Sequence, residues 1–517
     1  MADATFTRDA AAWFPILAAR FDAAAPHIAT LRSYMFEDPN ISPPLPEMGK
    51  NTKAAWSAFQ KKACPALAPL IVSSAGDRIR YQGVVVGPER EETEKKVQRI
   101  IRDSYFEVTL GEAVHAALTD GESYLLTARG DDGKAVITAE DRRFCIVAAD
   151  PIRPSAAPRA ALKVWRDADQ QADFAWVWDG TVRAMFSRPM ADEKTVLTAI
   201  SGGSWKLVGT VEVGAVPFVV IRPAANGQGS FEPHLSTIDR VYHGLLNRLV
   251  SAAMQAFQQR YLKGNLPTAD DDGNEIDYSA IFENSPGALW DLPEGVDLAQ
   301  LAQTDIRPML DASKDDLRDL SAVARTPLAA LNPGDGANQS AEGAQAAKDS
   351  LIFRVSAYLD RIRPAVELAL VRALRIEDPT ALADGESITI LFSPPQRISE
   401  YEKFQALVLA KSADVPFVSR MLTVGGYSAA EVERMEAERL DEQMTLAAIT
   451  APNASDPGSV AIDPADMKSM TESMGALIRA GATPESAAQI VGLTGLEFLP
   501  GMSPVTLKSS LPDTPTP

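Results

Sequence analysis

A chain of 517 residues can bury several hydrophobic cores, and 46% apolar with 23% charged residues is an ordinary globular composition. The net charge of −19 argues against tight binding of nucleic acid, because affinity for DNA comes largely from basic groups that displace counterions. The first residues lack a signal-peptide pattern, and no apolar run is long enough to cross a bilayer, so we expect no membrane partner. Two cysteines, Cys64 and Cys145, give no disulfide framework and favour a reducing compartment.

The first 120 residues are predicted to be mainly helical. In residues 1–35 apolar residues recur at helical spacing, and the set is Trp13, Phe14, Leu17, Phe21 and Leu31. Further helices are predicted over 52–62, 89–106 and 109–119, and a strand over Arg78–Val86. The face of helix 89–106 that we expect to be buried consists of Val97, Ile100, Ile101 and Tyr105. Residues 65–72 fit a helix and a buried strand equally well.

Between residues 121 and 221 the pattern changes to short strands separated by turns. Asp131-Asp132-Gly133 and Asp179-Gly180 have the composition of hairpin turns. The clearest strands are Ser123–Ala128, Phe144–Ala148, Ala160–Arg166, Ala175–Trp178 and Pro217–Ile221. These elements predict an α+β domain with a mainly antiparallel sheet.

Three helices dominate residues 236–374. The first runs from Ser236, a good N-cap residue, to about Lys263, and the second runs from near Pro308 to about Arg325. The third runs from Ser340 to Leu374, and Pro364 inside it is expected to kink it, since proline removes a backbone donor. Its buried stripe is predicted to be Leu351, Val355, Tyr358, Ile362, Val366 and Leu370.

The segment between the first two of these helices is acidic throughout. Residues 264–306 contain ten Asp and Glu residues and no Lys, Arg or His. Tyr278, Phe282 and Trp290 belong to its small apolar side, which is suited to packing against another surface. A solvated surface insertion is the alternative. A calcium loop is not favoured, because the run from Asp270 lacks the Gly and Glu that an EF-hand has at positions six and twelve.

The second helix carries two charged stripes. The basic stripe is Lys314, Arg318 and Arg325, and the acidic one is Asp311, Asp315 and Asp319. In a closed ring of identical subunits, one copy's basic stripe can meet its neighbour's acidic stripe, which is a heterologous contact. Salt bridges within one exposed helix explain the same pattern equally well.

The segment between the second and third helices has strong turn chemistry in Asn332-Pro333-Gly334-Asp335-Gly336. It is not a phosphate-binding loop of the Walker type, because no Gly-Lys-Ser/Thr follows and the next helix opens with Gln339-Ser340. An ordinary connector between two helices is the alternative to a functional loop.

The C-terminal part is predicted to be helical after one strand, Ile388–Phe392, which we expect to return to the sheet of the first domain. Capping boxes at Ser399 and Ser428 open two helices. Residues 450–464 have the composition of a linker, and short helices are predicted over about 465–480 and 484–492. The last residues are expected to be disordered.

Catalytic chemistry has little support in the sequence. The four histidines, His27, His115, His234 and His243, show no metal-ligand spacing, and neither His-Glu-x-x-His nor Gly-x-Ser-x-Gly occurs. No ATP site is recognisable. We therefore expect a protein that is not an enzyme and that has no cofactor or metal.

Several short stretches, in order, resemble a known family. Ile41–Met48 is similar to a proline-containing segment, Gly227–Ser230 to a turn before a first stem helix, and Phe257–Gly264 to the end of that helix. Asn338–Glu342 is similar to the start of a long helix, and Arg479–Ala488 to the C-terminal part. The family is the portal protein of tailed bacteriophages, and the resemblance is to portals of long-tailed phages of actinobacteria.

The resemblance implies a portal-type fold with a defined order of parts. Residues 1–235 would be the wing, 236–263 stem helix 1, 264–306 the clip, 307–326 stem helix 2, and 327–339 the tunnel loop. Residues 340–400 would be the long kinked helix and return strand, 401–500 a helical crown, and 501–517 a disordered tail.

The resemblance also implies a function. The protein would be made in the host cytoplasm and form a dodecameric ring at one capsid vertex of a siphovirus virion, through which double-stranded DNA passes independently of its sequence. It would dock terminase and head-to-tail adaptors, and would associate with major capsid or scaffold protein. A metal-dependent nuclease and another virion connector ring are the alternatives.

Residue roles follow from the same resemblance. The tunnel-loop residues facing DNA would be Asn332, Asp335, Asn338 and Gln339, and the clip docking residues Tyr278, Phe282 and Trp290. Contacts between subunits or with the lumen would come from the stem residues Arg260, Lys263, Asp311, Lys314, Asp315, Arg318, Asp319 and Arg325.

Overall fold

The computed structural model describes residues 9–36, 50–86, 91–130, 132–152, 157–190, 197, 199–256, 260–264, 268–269, 273, 296–300, 305–332, 341–382, 388–396, 400–427, 429–450, 470, 473–478 and 483–492. It consists of two compact units, Met1–Glu433 and Arg434–Pro517. None of the helices within the described ranges is both long and apolar enough to span a bilayer.

The first unit combines helices with antiparallel sheets and is therefore α+β, as predicted. Its helices are α1 (Ala10–Met35), α2 (Lys50–Lys62), α3 (Leu67–Gly76), α4 (Glu91–Asp103), α5 (Phe106–Asp120), α6 (Leu235–Ala256), α7 (Arg307–Val323), α8 (Leu328–Leu331), α9 (Ala341–Glu377), α10 (Glu400–Ser412) and α11 (Phe417–Thr423). The boundary between the units falls within α12 (Ala429–Thr450).

Four antiparallel sheets are described. Two consist of two strands each, β1 (Tyr81–Val85) with β12 (Thr389–Phe392), and β10 (Arg260–Lys263) with β11 (Asp297–Gln300). A third has the order β3-β2-β9, formed by β2 (Ser123–Arg129), β3 (Ala135–Glu140) and β9 (Phe218–Ile221). The fourth is a five-stranded meander of β4 (Cys145–Ala148), β5 (Ala160–Asp167), β6 (Ala172–Trp178), β7 (Val182–Pro189) and β8 (Lys206–Glu212).

Helix α1 covers the five-stranded sheet. All five residues of its predicted apolar set are buried, and four of them pack with the sheet in one core, where Phe14 stacks on Phe186 of β7 with ring centroids 4.4 Å apart. Leu31 belongs instead to the core around α9. The helical interpretation of residues 65–72 is the right one, because α3 buries Leu67, Ile71 and Val72 against that second core.

The predicted burial of Tyr105 is wrong. We predicted it to face inward with Val97, Ile100 and Ile101, and those three are buried, but Tyr105 is 78% exposed. Its backbone adopts the left-handed conformation with φ of 46°, which ends α4 and starts α5 in a new direction. The break turns this side chain away from the face that the helical spacing predicts.

Helix α9 is the axis of the larger core. Its stripe residues Leu351, Val355, Ile362, Val366 and Leu370 are buried, as predicted. Two arginines of α9 donate hydrogen bonds to backbone carbonyl oxygens of other elements, Arg363 to Ile390 at 3.0 Å and Arg372 to Val216 and Phe218 at 2.9 and 2.8 Å. These bonds connect the helix to β12 and β9. Pro364 lies inside α9, and the kink expected there stays a prediction.

The first predicted stem helix ends earlier than we predicted. We predicted a helix to Lys263, but α6 ends at Ala256 and Arg260–Lys263 is a strand. This strand pairs with β11, with Arg260 opposite Gln300 and Lys263 opposite Asp297. The backbone groups of these four residues therefore bond across the strand pair instead of along a helix. At its other end α6 begins at Leu235, after a turn of 3₁₀-helix over Glu232–His234.

The return strand lies elsewhere than we expected. β12 does not join the three- or five-stranded sheet of the first domain, and it pairs with β1, with Val84 opposite Ile390. Both residues are buried in the α9 core. The sequence pattern identified the strand but held no information about its partner.

In the second unit the helix α13 (Pro484–Val491) matches the prediction for residues 484–492. The Thr483 hydroxyl caps it by accepting a hydrogen bond from the Ser486 N–H at 3.3 Å. Residues 473–478 are helical and fall within the predicted helix 465–480. The predicted linker after Thr450 and the predicted tail lie outside the described residues.

Candidate functional site: the helix pair and its junction with the long helix

Helices α6 and α7 pack directly against each other. Small residues lie at the contact, since a Cβ atom added at Gly244 would come within 3.3 Å of the Ser313 Oγ. Ser313 is buried, and its hydroxyl donates to the Met309 carbonyl oxygen at 2.9 Å. Ile238 and Val241 of α6 and Leu320 of α7 are buried in the same core. Apolar contact and close approach together make the pair one rigid element.

Charged residues reinforce the pair along its exposed side. Arg240 of α6 forms ion pairs with Asp316 and Asp319 of α7, each with an N–O distance of 2.7 Å. Within α7, Arg318 pairs with Asp315 at 2.7 Å. The pair of Arg318 and Asp315 agrees with the alternative of salt bridges within one exposed helix, whereas Asp319 pairs with another helix of the same chain. Their contact with a neighbouring subunit stays a prediction.

Sequence reasoning missed Arg240. Its partners lie on another helix, so no spacing within α6 distinguishes it from an ordinary exposed arginine. Other predicted stem residues lie on α7 and on β10. Asp311 is exposed and Lys314 is half-buried on α7, whereas Lys263 is exposed on β10.

The C-terminal end of α7 is closed by a tight backbone turn. Arg325 adopts the left-handed conformation with φ of 46°, and the Thr326 N–H donates to the Ser321 carbonyl oxygen at 3.0 Å. The Ser321 hydroxyl donates in turn to the Thr326 carbonyl oxygen at 2.7 Å. This arrangement satisfies carbonyl groups that a helix end leaves without partners.

Arg354 of α9 connects this turn to the rest of the unit. Its guanidinium Nη1 donates to the Ala324 carbonyl oxygen, and Nη2 donates to the Ser74 Oγ of α3 at 3.3 Å. The residue is 8% exposed. Burial, together with the nearby charge of Arg325, lowers the pKa of Arg354. The sequence did hold a signal for it, because it is a charged residue in the predicted buried stripe of α9, between Leu351 and Tyr358.

A pocket of about 230 Å³ lies between the end of α7 and the start of α9. Its polar lining consists of Arg318, Ser321, Arg325, Thr326 and Ser350. The predicted tunnel loop, residues 327–339, begins beside it with the short helix α8, and after this helix Asn332 is half-buried and its N–H donates to the Leu328 carbonyl oxygen at 2.6 Å. Asp335, Asn338 and Gln339 lie outside the described residues, as do the predicted clip residues Tyr278, Phe282 and Trp290.

Two of the four histidines, His27 and His115, each lie close to one carboxylate. His27 Nε2 lies 3.1 Å from Glu232 Oε1, and His115 Nε2 lies 3.2 Å from Asp77 Oδ1. Burial, and secondarily the charge of Arg354, lowers the pKa of His234. Among the residues described, no three of His, Cys, Asp and Glu are grouped so that they could hold a metal ion.

No family model matches the sequence, and no curated protein matches it either. Chains from three solved structures of gene transfer agent (GTA) particles are similar to it. A chain from the neck of an empty GTA particle computed with C6 symmetry has 13% identity and a TM-score of 0.37, and the match covers 72% of this chain and 92% of that one.

The other two chains have similar identities and TM-scores. For a chain from the virion of a native GTA particle the identity is 12%, the TM-score 0.38 and the coverage 77% of this chain and 93% of that one. For a chain from the neck of a native GTA particle computed with C12 symmetry the identity is 11% and the TM-score 0.37, and the match covers 74% of this chain and 95% of that one. At TM-scores below 0.5 the likeness is loose and carries no argument for function.

Proposed function

We propose that this chain is the portal protein of a tailed phage or phage-like particle, a ring subunit at one capsid vertex that conducts DNA. The observation that carries the proposal is the helix pair α6 and α7, separated in sequence by an acidic insertion. The ladder of β10 and β11 joins the two sides of that insertion near its base. A tight turn and a 37-residue helix follow α7. We assign this succession to the stem, clip and long helix that the sequence resemblance implies.

The parts have distinct mechanical roles in the proposed ring. The packed pair α6 and α7, closed by Arg240, would form a stiff wall around the channel. The insertion of residues 264–306 would carry the docking surface for terminase and adaptors, with Tyr278, Phe282 and Trp290 as its apolar contacts. The acidity of that insertion repels the DNA backbone, which favours passage over retention.

The ring would close through heterologous contacts, in which different surfaces of one subunit meet on the next. Lys314 and Asp311 of α7 would contribute there, together with Arg260 and Lys263 of β10. The residues at the tunnel loop, Asn332, Asp335, Asn338 and Gln339, would form a constriction around DNA. Asn332, Asn338 and Gln339 are polar without charge, which suits that position, because such groups contact phosphates without holding them.

We also propose that the chain is not an enzyme and depends on a separate motor protein for DNA movement. One alternative is an enzyme, a metal-dependent nuclease. The other is another connector ring protein of the virion. Incubation of plasmid DNA with the purified chain and Mg²⁺ or Mn²⁺ separates the nuclease from both ring proteins. Cleavage that EDTA abolishes would overturn the proposal that the chain is not an enzyme.

The mass of the assembled protein tests the ring. Twelve copies of a 55.5 kDa chain give about 670 kDa, and we expect a species near this mass by native mass spectrometry. A monomer or dimer at every protein concentration examined would contradict a ring that assembles without other components.

The clip is tested by replacing residues 265–295 with Asn-Gly. The loop Gly264-Asn-Gly-Val296 would then join β10 and β11, which already pair as an antiparallel ladder. We expect a folded protein with an unchanged number of subunits per assembly that no longer binds the terminase of its own virus in a pull-down experiment. Retained terminase binding would show that the insertion is not the docking element.

A further inference from the structure

The pocket at the end of α7 is lined by cations and hydroxyl groups, in a chain whose net charge is −19. Among the residues that the structure describes, its lining has two guanidinium groups, three hydroxyl groups and no carboxylate, together with the apolar residues Ala322, Leu328 and Ala347. Its volume of about 230 Å³ can hold a tetrahedral oxyanion. We propose that this pocket binds a phosphate group, held by the guanidinium groups of Arg318 and Arg325 and by the hydroxyl group of Ser350.

Arg325 is available for such a ligand. Its backbone is held in the left-handed turn that closes α7. The residue is exposed at the pocket wall, and within the described part of the chain its side chain makes no ion pair or hydrogen bond. An arginine fixed at its backbone, with a free guanidinium beside Thr326 and Ser321, is suited to bidentate recognition of an oxyanion.

Arg354 adds an independent observation. It is 8% exposed, and its Nε is buried without a hydrogen-bond partner in the described structure. It lies one helical turn after Ser350 of the pocket, and it donates to Ala324, the residue directly before Arg325. The charge of Arg325 contributes to lowering the pKa of Arg354, so two like charges are close to each other. An anion in the pocket would relieve this repulsion.

The existing partner of Arg318 is a weak competitor. Its ion pair with Asp315 is exposed, with 58% of the arginine and 71% of the aspartate side chain accessible. Exposed pairs of this kind contribute little free energy. A phosphate with two negative charges that also contacts Arg325 can therefore displace Asp315.

Two sources can supply the phosphate, free inorganic phosphate and the backbone of DNA. The DNA source rests on the proposed function, since the pocket would then contact the duplex in the channel. The phosphate site itself does not rest on it.

Isothermal titration of the full-length chain with inorganic phosphate tests the site. We expect Arg325→Gln to weaken binding by about fivefold or more, because it removes a charge-assisted contact. Arg361→Gln is the matched control, an exposed arginine of α9 outside the pocket, and it should leave the affinity unchanged. Absence of binding up to about 10 mM phosphate would overturn the proposal. An equal loss in both variants would overturn it as well.

A short DNA duplex distinguishes the sources. If the duplex binds, is displaced by phosphate and loses affinity in Arg325→Gln, the pocket binds the DNA backbone. If phosphate binds and the duplex does not, the site holds free phosphate and the pocket is no DNA contact. Ring formation, measured separately by native mass, reports on the proposed function and is independent of both outcomes.

Discussion

Replacing Arg32 with methionine is expected to lower the free energy of unfolding by about 3–5 kcal/mol. Arg32 on α1 donates from Nε to Asp120 Oδ1 at 2.9 Å and from Nη2 to Asp141 Oδ2 at 2.8 Å. The Asp120 side chain, at the end of α5, is completely buried. Loss of the guanidinium leaves a buried carboxylate without its main counter-charge, which is far more costly than loss of an exposed pair. Urea denaturation followed by circular dichroism measures the change.

The pH dependence gives this prediction a second readout. Burial raises the pKa of Asp120 even with Arg32 present. In the Arg32→Met variant, Asp120 carries an unfavourable buried charge at pH values above its own pKa in the folded variant. This charge disappears as the pH falls through that pKa, so the loss of stability relative to the native protein should shrink in acid. Arg20→Met, an exposed arginine of the same helix, should change stability by less than about 0.5 kcal/mol. Equal stability of the two variants would contradict the account of this ion pair.

Alanine in place of Gly111 within α5, or of Gly121 directly after its last residue, is expected to change the free energy of unfolding in opposite directions. Gly121 caps the C-terminus of α5 with φ of 85°, and a Cβ atom there would lie 1.9 Å from the Gly227 carbonyl oxygen. Gly121→Ala therefore forces the two backbone segments apart in addition to the cost of a left-handed alanine, and we expect a loss of about 3 kcal/mol or more.

Gly111→Ala is the matched control within the same helix. Apart from the helix's own backbone and the two neighbouring residues, no atom of the described structure lies within 4 Å of a Cβ at Gly111, so alanine should stabilise the protein by up to about 1 kcal/mol through its higher helix propensity. Thermal denaturation of both variants tests the pair. A Gly121→Ala protein as stable as the native one would show that the loop containing Gly227 does not hold this close position.

The long helices were predictable because their apolar residues repeat over many turns. Five of the six residues of the predicted α9 stripe are buried and Tyr358 is half-buried, and the predicted α7 agrees with Arg307–Val323 to within three residues. A strand such as β10 has only four residues, and its pattern alone does not distinguish it from the last turn of α6. Its identity depends on Asp297–Gln300, which lies more than thirty residues later in the sequence.

Strands β3, β7 and β8 were missed for a related reason. Their sequences mix β-branched residues with charged or small ones, and β8 is almost entirely exposed as an edge strand. At the candidate site, Asp315, Arg318 and Asp319 were identified by helical spacing, whereas Arg240 and Arg354 were not. The role of Arg240 arises from contacts with another helix, which spacing within α6 does not encode. Arg354 was overlooked although spacing held a signal for it, because it is a charged residue within the predicted buried stripe of α9.

The central claim is that this chain assembles into a ring with an open channel, and electron microscopy of the purified full-length protein in negative stain tests it most directly. The account predicts ring-shaped particles with a central hole, whose rotational symmetry is countable in class averages. Uniform small particles without a hole, across protein and salt concentrations, would contradict it. Together with metal-dependent DNA cleavage, that result would favour the nuclease.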